Sequence, residues 1–203
     1  LDPGEVASLV RAVGTDDGLA LADRVALPRD LVERTAWGRD GRRGPALVEL
    51  IAAEEAVPED VRCDVLALVS GLHDPAPPRY QAGPATRRRA LVLRGELEAR
   101  PESTIRPLLE AAFDDDVPAL AAAELLEAHG TALPRDEVES LVREGLHADR
   151  APVRQAFFRA GRALLGDAVT EWAPDDVLTR ARRKAEASGS GGRGEDPDQM
   201  GLF

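Results

Sequence analysis

Residues 103 to 166 read STIRPLLEAAFDDDVPALAAAELLEAHGTALPRDEVESLVREGLHADRAPVRQAFFRAGRALLG. Apolar residues recur three and four positions apart in four segments of this stretch, which is the spacing of one face of a helix. The predicted helices are Ser103–Phe113, Val117–Gly130, Asp136–Leu146 and Ala151–Gly166. Short turns join the first to the second and the third to the fourth, so the stretch predicts two antiparallel helix pairs.

A shift of 33 positions, from 108 to 141, superposes the two predicted pairs. It places Leu108 on Leu141, Leu109 on Val142, Phe113 on Leu146, Asp116 on Asp149, Leu120 on Val153 and Ala123 on Ala156. A helix pair repeated near this period cannot bury both apolar faces alone, so it stacks on copies of itself. The repeat therefore favours a surface built for binding over a pocket built for catalysis.

The composition indicates an all-α protein. A chain of 203 residues can form one large core or a short solenoid of about five or six helix pairs. Aromatic residues make up only 3% of the chain, and the alternation of β-branched and aromatic residues that marks strands is missing. No long apolar run and no signal-peptide pattern is found, which predicts a cytosolic protein.

Charge and chemistry-bearing residues favour a non-enzymatic role. The net charge of −11 disfavours binding of a polyanion by the whole surface. Cys63 is the sole cysteine and lies in an apolar stretch, which predicts a small core residue rather than a reactive thiol. His73, His129 and His147 fit no metal spacing, and Asp114–Asp116 is interpreted as a helix cap. We predict neither a metal nor a cofactor.

Three short helices are predicted between Pro3 and Ala36. Pro28 is placed at the entry of the third, because a first turn tolerates proline. Leu9 in the first helix and Leu21 in the second are expected to face inward.

A further helix pair is predicted over Pro45–Glu55 and Pro58–Leu72, with Leu50 facing inward on its first member. Gly71 and Gly166 are expected to end their helices, since glycine readily adopts the left-handed conformation found there.

The segment between these two regions, Trp37–Gly44, is rich in glycine and arginine. We interpret it as a solvated connector. The alternative is a loop in which Arg42 and Arg43 contact phosphates while Trp37 stacks on a base. The segment lacks the length and the Lys-Ser/Thr ending of a P-loop.

Three adjacent arginines, Arg87, Arg88 and Arg89, lie in the first turns of a helix predicted over Pro84–Arg100. Adjacent residues point in different directions around a helix, so we expect salt bridges to the many acids; contact with nucleic acid is the alternative. The proline-rich segment His73–Gly83 before this helix predicts a surface loop and a break between two sub-arrays.

The chain after Gly166 is predicted to close the last repeat through Val169, Trp172 and Leu178. A final polar helix is predicted over Asp175–Ala187. Its basic residues are interpreted as complements to the dipole at the carboxyl end of that helix. They are Arg180, Arg182, Arg183 and Lys184.

The helix pairs resemble HEAT-like repeats. The shared pattern is an apolar first helix, a turn with Asp, then Pro-x-Val-Arg or Asp-Val-Arg and a second helix rich in Ala and Leu. The resemblance is clearest over Leu141–Leu165, fair over Leu47–Leu72 and weaker over Leu108–Ala128. It implies a short right-handed α-solenoid of antiparallel helix pairs covering residues 1–187.

Residues 188–203 predict a flexible, unstructured tail, because Ser188–Asp198 contains no apolar residue able to join a core. The tail continues as Gln199-Met200-Gly201-Leu202-Phe203, which resembles the sliding-clamp-binding pentapeptide of bacterial replication and repair proteins. The resemblance implies that Gln199 makes polar contacts at the pocket entrance. Leu202 and Phe203 would fill the deep apolar subsite and Met200 a shallower one. A bacterial-type clamp fits better than an archaeal one, whose binding box is longer.

The main hypothesis is thus a non-enzymatic adaptor that holds an unknown protein partner on its concave face and reaches a sliding clamp through its tail. One alternative is a HEAT-like DNA-binding repair protein or alkyl-base DNA glycosylase, in which Trp37, Trp172 and the arginines would converge in a basic groove. Another is a general protein-binding scaffold unrelated to DNA.

Overall fold

The computed structural model describes residues 2–36, 43–72, 82–112 and 115–189. All regular secondary structure in these ranges is helical, which confirms the all-α prediction. The α-helices are α1 (Pro3–Gly14), α2 (Leu21–Ala36), α3 (Arg43–Ala52), α4 (Glu59–Ser70), α5 (Pro84–Leu97), α6 (Ile105–Glu110), α7 (Asp116–His129), α8 (Arg135–Leu146), α9 (Ala151–Leu165) and α10 (Asp175–Gly189). Short 3-10 turns lie at Pro101–Thr104, Gly130–Ala132 and Gly166–Glu171. None of the helices in the described ranges combines the length and apolar character needed to cross a bilayer.

Residues 3–36 form two helices where the sequence predicted three. The first is held at its start by a capping box, in which the Glu5 amide donates to Asp2 Oδ1 at 3.0 Å and the Asp2 amide donates to Glu5 Oε2 at 2.9 Å. Pro28 lies inside α2 rather than at the entry of a new helix. Its ring is buried, and α2 packs against α1, α3 and α4. These contacts hold the helix together although proline lacks one backbone donor.

The predicted helix ends are confirmed at three places. Gly71 and Gly166 adopt φ values of 71° and 69°, in the left-handed region that glycine enters without steric cost. Asp115 accepts a hydrogen bond from the Val117 amide at 3.0 Å, so the acidic turn caps α7 as expected.

Alternate helices pack on one another along the chain. The first row of contacts runs α1, α3, α5, α7 and α9, and α10 packs against α9 at the end. The even-numbered helices pack beside this row, α4 mainly on α5, α6 on α7 and α8 on α9. Each element therefore contacts near neighbours in the sequence.

Two hydrophobic cores share α5. The N-terminal core contains buried side chains of α1–α5, and the C-terminal core contains those of α5–α10. Ala90 and Leu93 of α5 belong to the N-terminal core, whereas Leu91 and Val92 belong to the C-terminal core. Because neighbouring residues point to different sides of a helix, α5 joins the two cores.

Two helices of the C-terminal core pack closely at a glycine. A Cβ added at Gly145 of α8 would lie 2.0 Å from Cγ of Phe157 in α9. The aromatic ring, which is fully buried, thus occupies the space that a side chain at 145 would fill. In the N-terminal core the comparable glycine, Gly14, would bring a Cβ 2.9 Å from Val57 Cγ1.

Three residues predicted to face inward are exposed: Leu9 (41%), Leu21 (45%) and Leu50 (42%). Leu9 and Leu50 lie at the edges of the buried stripes of α1 and α3, roughly 100° or more around the helix from the centres of those stripes. Leu21 is the first residue of α2 and has no preceding helical turn to cover it. The apolar spacing identified the helices correctly but made their buried faces too wide.

The 33-residue register holds in the first helices of the repeat and fails in the second. Leu108 and Leu141 are both buried. Val153 is also buried, but Leu120, its predicted equivalent, is only partly buried. The first residues of α7 and α9, Asp116 and Ala151, are 35 positions apart. The differing segments between the helices therefore shift the register by two residues.

Candidate functional site: an arginine-lined groove

An open groove of about 1270 Å³ lies where α5, α7, α9 and α10 meet. Five arginines from three of these helices line it: Arg88, Arg159, Arg162, Arg180 and Arg183. They are separated by up to 95 positions in sequence, from 88 to 183, so the packing of alternate helices brings them together.

Between the arginines the groove is lined with apolar side chains. They are Leu120, Pro152, Ala156, Phe158, Ala163, Ala181 and Ala185. Phe158 is only 6% exposed and contributes to the C-terminal core beneath the groove. Most of the others are alanines, whose short side chains let a bound molecule approach the helix backbones.

Groove residues lie four positions apart on α7, α9 and α10. On α9 they include Gln155, Arg159 and Ala163, and on α7 Leu120 and Glu124. Residues four apart form a ridge along one face of a helix. The groove is therefore walled by helical ridges, and its depth comes from the small residues between them.

Three of the five arginines already form ion pairs with carboxylates. Arg88 Nε lies 3.7 Å from Glu124 Oε2, and Arg159 Nε donates to Glu127 Oε2 at 2.8 Å. Arg162 Nη2 donates to an oxygen of the Asp167 carboxylate, also at 2.8 Å. In the described part of the chain no carboxylate pairs with Arg180 or Arg183, both of which are exposed. The two groove arginines without a carboxylate partner thus lie on α10, and Asp175 and Asp176 line a neighbouring depression with them.

The other two arginines of the predicted cluster have structural partners. Arg87 Nε donates to the Ser70 carbonyl at 2.7 Å, and its Nη2 pairs with Asp115 Oδ2 at 2.5 Å.

Arg89 Nε donates a hydrogen bond to the Glu49 carboxylate, and this bond raises the pKa of the Arg89 guanidinium. The salt-bridge interpretation of Arg87, Arg88 and Arg89 is therefore confirmed, and only Arg88 reaches the groove.

Several predicted site residues lie outside the described ranges. They are Trp37, Arg42, Gln199, Met200, Leu202 and Phe203. Arg43 is exposed as the first residue of α3 and does not line the groove. Trp172 also lies elsewhere: its ring packs beneath the Arg143 guanidinium, 4.0 Å from the ring centre. It is partly buried against the C-terminal core together with Leu178, and Val169 is fully buried, which confirms the predicted closing contact.

The Val-Arg pairs of the repeat have equivalent structural roles. Val61 and Val153 are buried. Arg62 Nη1 donates to the Ala52 carbonyl at 2.5 Å, and Arg154 Nη1 donates to the Ala148 carbonyl at 2.8 Å. In each case the arginine of the second helix binds a carbonyl near the junction of the two helices: Ala52 is the last residue of α3, and Ala148 lies two residues beyond α8. Backbone acceptors there have no helical partner.

The described residues contain no group of three or more His, Cys, Asp and Glu side chains able to hold a metal ion. The Cys63 side chain is half-buried, and burial raises the pKa of its thiol. Such a thiol ionises less readily than a free one, which disfavours nucleophilic chemistry at this position.

Sequence reasoning missed the four groove arginines of α9 and α10. Arg180 and Arg183 were assigned to the carboxyl end of a helix, but α10 continues to Gly189, so they lie in its middle. A usable signal was present on α9, where Gln155, Arg159 and Arg162 are spaced for one helix face. The convergence of α9 with α10 and α5 depends on tertiary packing, and no pattern within any one of these helices predicts it.

No protein-family model, curated protein or solved structure was found to match this chain.

Proposed function

We propose that this chain is a non-enzymatic adaptor built as a short right-handed α-solenoid of HEAT-like helix pairs. The support for the solenoid is the packing pattern, in which each of the alternate helices contacts the next one along the chain: α1, α3, α5, α7 and α9. Stacked repeats contact only their neighbours in this way. The equivalent carbonyl contacts of Arg62 and Arg154 add support, since they recur at the same place in two helix pairs.

The observation that carries the binding role is the groove. It is formed by four helices from successive pairs, and it combines exposed arginines with an apolar floor. Protein interfaces commonly bury an apolar centre within a polar rim, and arginine is enriched in them. The groove therefore suits a protein partner.

The tail supplies the second contact of the proposed adaptor. Gln199–Phe203 resembles the clamp-binding pentapeptide, and the chain leads into it from α10, which lines the groove. Burying Met200, Leu202 and Phe203 gains about 1.5–3 kcal/mol each, and ordering the peptide costs about 1–2 kcal/mol per residue. These two terms nearly cancel, so hydrogen bonds of Gln199 and of the peptide backbone must supply the net affinity. With them, we expect a weak contact with a dissociation constant near the micromolar range.

The test is binding of a peptide of residues 188–203 to a purified bacterial-type sliding clamp, followed by the full chain. Leu202→Ala with Phe203→Ala should weaken binding at least about tenfold, because each removes most of a buried side chain. Gly201→Ala is the matched control and should change it little. An archaeal clamp tests the second clamp type. The tether is refuted if neither clamp binds, or if the double variant binds as well as the original peptide.

A DNA-binding repair protein or glycosylase is the second candidate, favoured by the five groove arginines. Glu124, inside the groove, and Glu127, paired with Arg159, reduce its attraction for phosphates, and Trp172 does not line it. Binding to a labelled DNA duplex at increasing salt tests this candidate. A steep loss of affinity with salt, reflecting several phosphate contacts, and release of an alkylated base would favour it over the adaptor.

A further inference from the structure

The groove offers two unlike features to a bound molecule. Its floor is apolar, and the α10 side carries Arg180 and Arg183 without carboxylate partners in the described part of the chain. A partner that covers both must present apolar side chains on one side and negative charge beside them. Protein segments of this kind have an apolar stripe flanked by Asp and Glu.

The ridges that wall the groove favour a helical partner. Leu120 with Glu124, and Ala181 with Ala185, are spaced four apart on α7 and α10. A helix packs by placing its own ridges between such rows. Ala156 lies on α9 between them, and its short side chain leaves room for an apolar residue of the partner. The described residues include no strand, so they offer no sheet edge to which an extended peptide could add.

Nucleic acid fits this surface less well. The phosphates of a duplex form a continuous negative track and require a matching row of free cations. Here Glu124 projects into the groove, and Arg88, Arg159 and Arg162 are already paired. The apolar floor also provides no charge or hydrogen-bond donor for a phosphate backbone.

We propose that the groove receives an acidic amphipathic helix of a partner protein, with its apolar face on Leu120, Ala156 and Ala181 and its carboxylates on Arg180 and Arg183. This inference rests on the proposed adaptor function and names the class of partner for the groove. It is independent of the tail, so a failure of clamp binding leaves it standing, and its own failure leaves the clamp contact standing.

The experiment measures fluorescence anisotropy of a labelled synthetic peptide with the full-length chain. The probe has about 18 residues, Glu with Leu at every third or fourth position, which as a helix spans about 27 Å. Arg183→Glu should weaken binding about threefold to tenfold, since it replaces attraction by repulsion at an exposed site. Arg182→Glu is the matched control: it makes the same charge change at the next residue, which is exposed and does not line the groove. It should leave affinity within about twofold.

Three further binding measurements distinguish an acidic amphipathic helix from other molecules that could bind the groove. A probe with Ser in place of Leu should bind at least about tenfold more weakly, because the apolar floor is then unused. Equal binding by the Ser probe, or equal loss in Arg182→Glu and Arg183→Glu, would show attraction by charge alone and overturn the proposal. Tighter binding of a labelled DNA duplex would assign the groove to nucleic acid. Displacement of the probe by the 188–203 peptide at lower concentration than by unlabelled probe would assign it to the chain's own tail.

Discussion

The N-terminal and C-terminal cores are built from similar helices but packed in different ways. Valine dominates the N-terminal core, and the buried side chains that the described ranges contribute to it include no aromatic residue. The C-terminal core combines leucine and alanine with Phe157 and Phe158. The exposed large apolar side chains, Leu9, Leu21, Leu27 and Leu50, all lie on helices of the N-terminal core, whereas the groove lies over the C-terminal core.

This difference shows how one kind of helix pair can serve two purposes. In the C-terminal core a ring fitted against a glycine sets the spacing of α8 and α9, and α9 carries half of the groove lining. In the N-terminal core the comparable contact, Gly14 against Val57, is less close, and α1–α4 contribute no described groove residue. Because α5 contributes to both cores, a change in either one should be transmitted to the other.

The strongest test of the comparison is Phe157→Ala. It leaves a cavity between α8 and α9, so the free energy of unfolding should fall by about 3–5 kcal/mol. Urea denaturation followed by circular dichroism measures the change. The control is Leu27→Ala, since Leu27 is 50% exposed and its loss should stay within about 0.5 kcal/mol. Equal effects of the two variants would mean that the ring does not organise the C-terminal core.

Gly145→Ala and Gly14→Ala compare the two cores by the addition of one methyl group. The new Cβ would lie 2.0 Å from the Phe157 ring at position 145 and 2.9 Å from a methyl of Val57 at position 14. A flat buried ring has less room to move than the end of a valine. Gly145→Ala should therefore lower the free energy of unfolding by about 1–3 kcal/mol.

The gain in helix propensity, about 1 kcal/mol at either position, offsets much of the smaller crowding at position 14 but only part of the crowding at position 145. Thermal and urea denaturation of both variants give the comparison. A Gly14→Ala variant destabilised as much as Gly145→Ala would show that the two cores are equally tight.

The sequence predicted the C-terminal helices more accurately than the N-terminal ones, for a physical reason. The bounds of α8 and α9 were predicted within one residue, because Pro134, Pro152 and Gly166 lie at their ends and such residues mark helix ends. Pro28 gave a false start signal, since the packing of α2 overrides the lost hydrogen bond.

The candidate site could be predicted only in part. Of its arginines, the sequence analysis named Arg88 as a possible contact to nucleic acid, and Arg180 and Arg183 only as charges that complement a helix dipole. The groove forms only because α5, α9 and α10 come together in the fold. The spacing of apolar residues within one helix does not predict which helices pack against it. The α9 face of the groove could have been found from the spacing of Arg159 and Arg162, but its α10 face could not.

Substitutions of the exposed leucines test whether these side chains contribute to the stability of the N-terminal core. If Leu9, Leu21 and Leu50 contribute nothing to the N-terminal core, replacing each by Gln should change the free energy of unfolding by no more than about 0.5 kcal/mol. Leu47→Ala, a fully buried change in the same core, should cost about 2–5 kcal/mol. Urea midpoints measured side by side distinguish the cases. A cost above about 1 kcal/mol for any Gln variant would place that leucine within the core after all.

The smallest effect concerns the ion pair that joins α1 to the end of α3. Arg11 Nη2 donates to Glu54 Oε2 at 2.6 Å, and this hydrogen bond is the main reason that the pKa of the Glu54 carboxyl lies below its ordinary value. A carboxyl with a lowered pKa in the folded state contributes stability above its unfolded pKa of about 4.3. The contribution is lost as the pH falls through the folded pKa.

The wild-type protein should therefore lose more stability between about pH 6 and pH 3 than Glu54→Gln. The matched control is Glu55→Gln, the next residue, which is exposed and lies outside the Arg11 contact. Urea midpoints at both pH values measure the difference, which added salt should reduce because both partners are near the surface. If Glu54→Gln and Glu55→Gln respond alike to acid, the pair does not stabilise the N-terminal core, and packing alone must account for it.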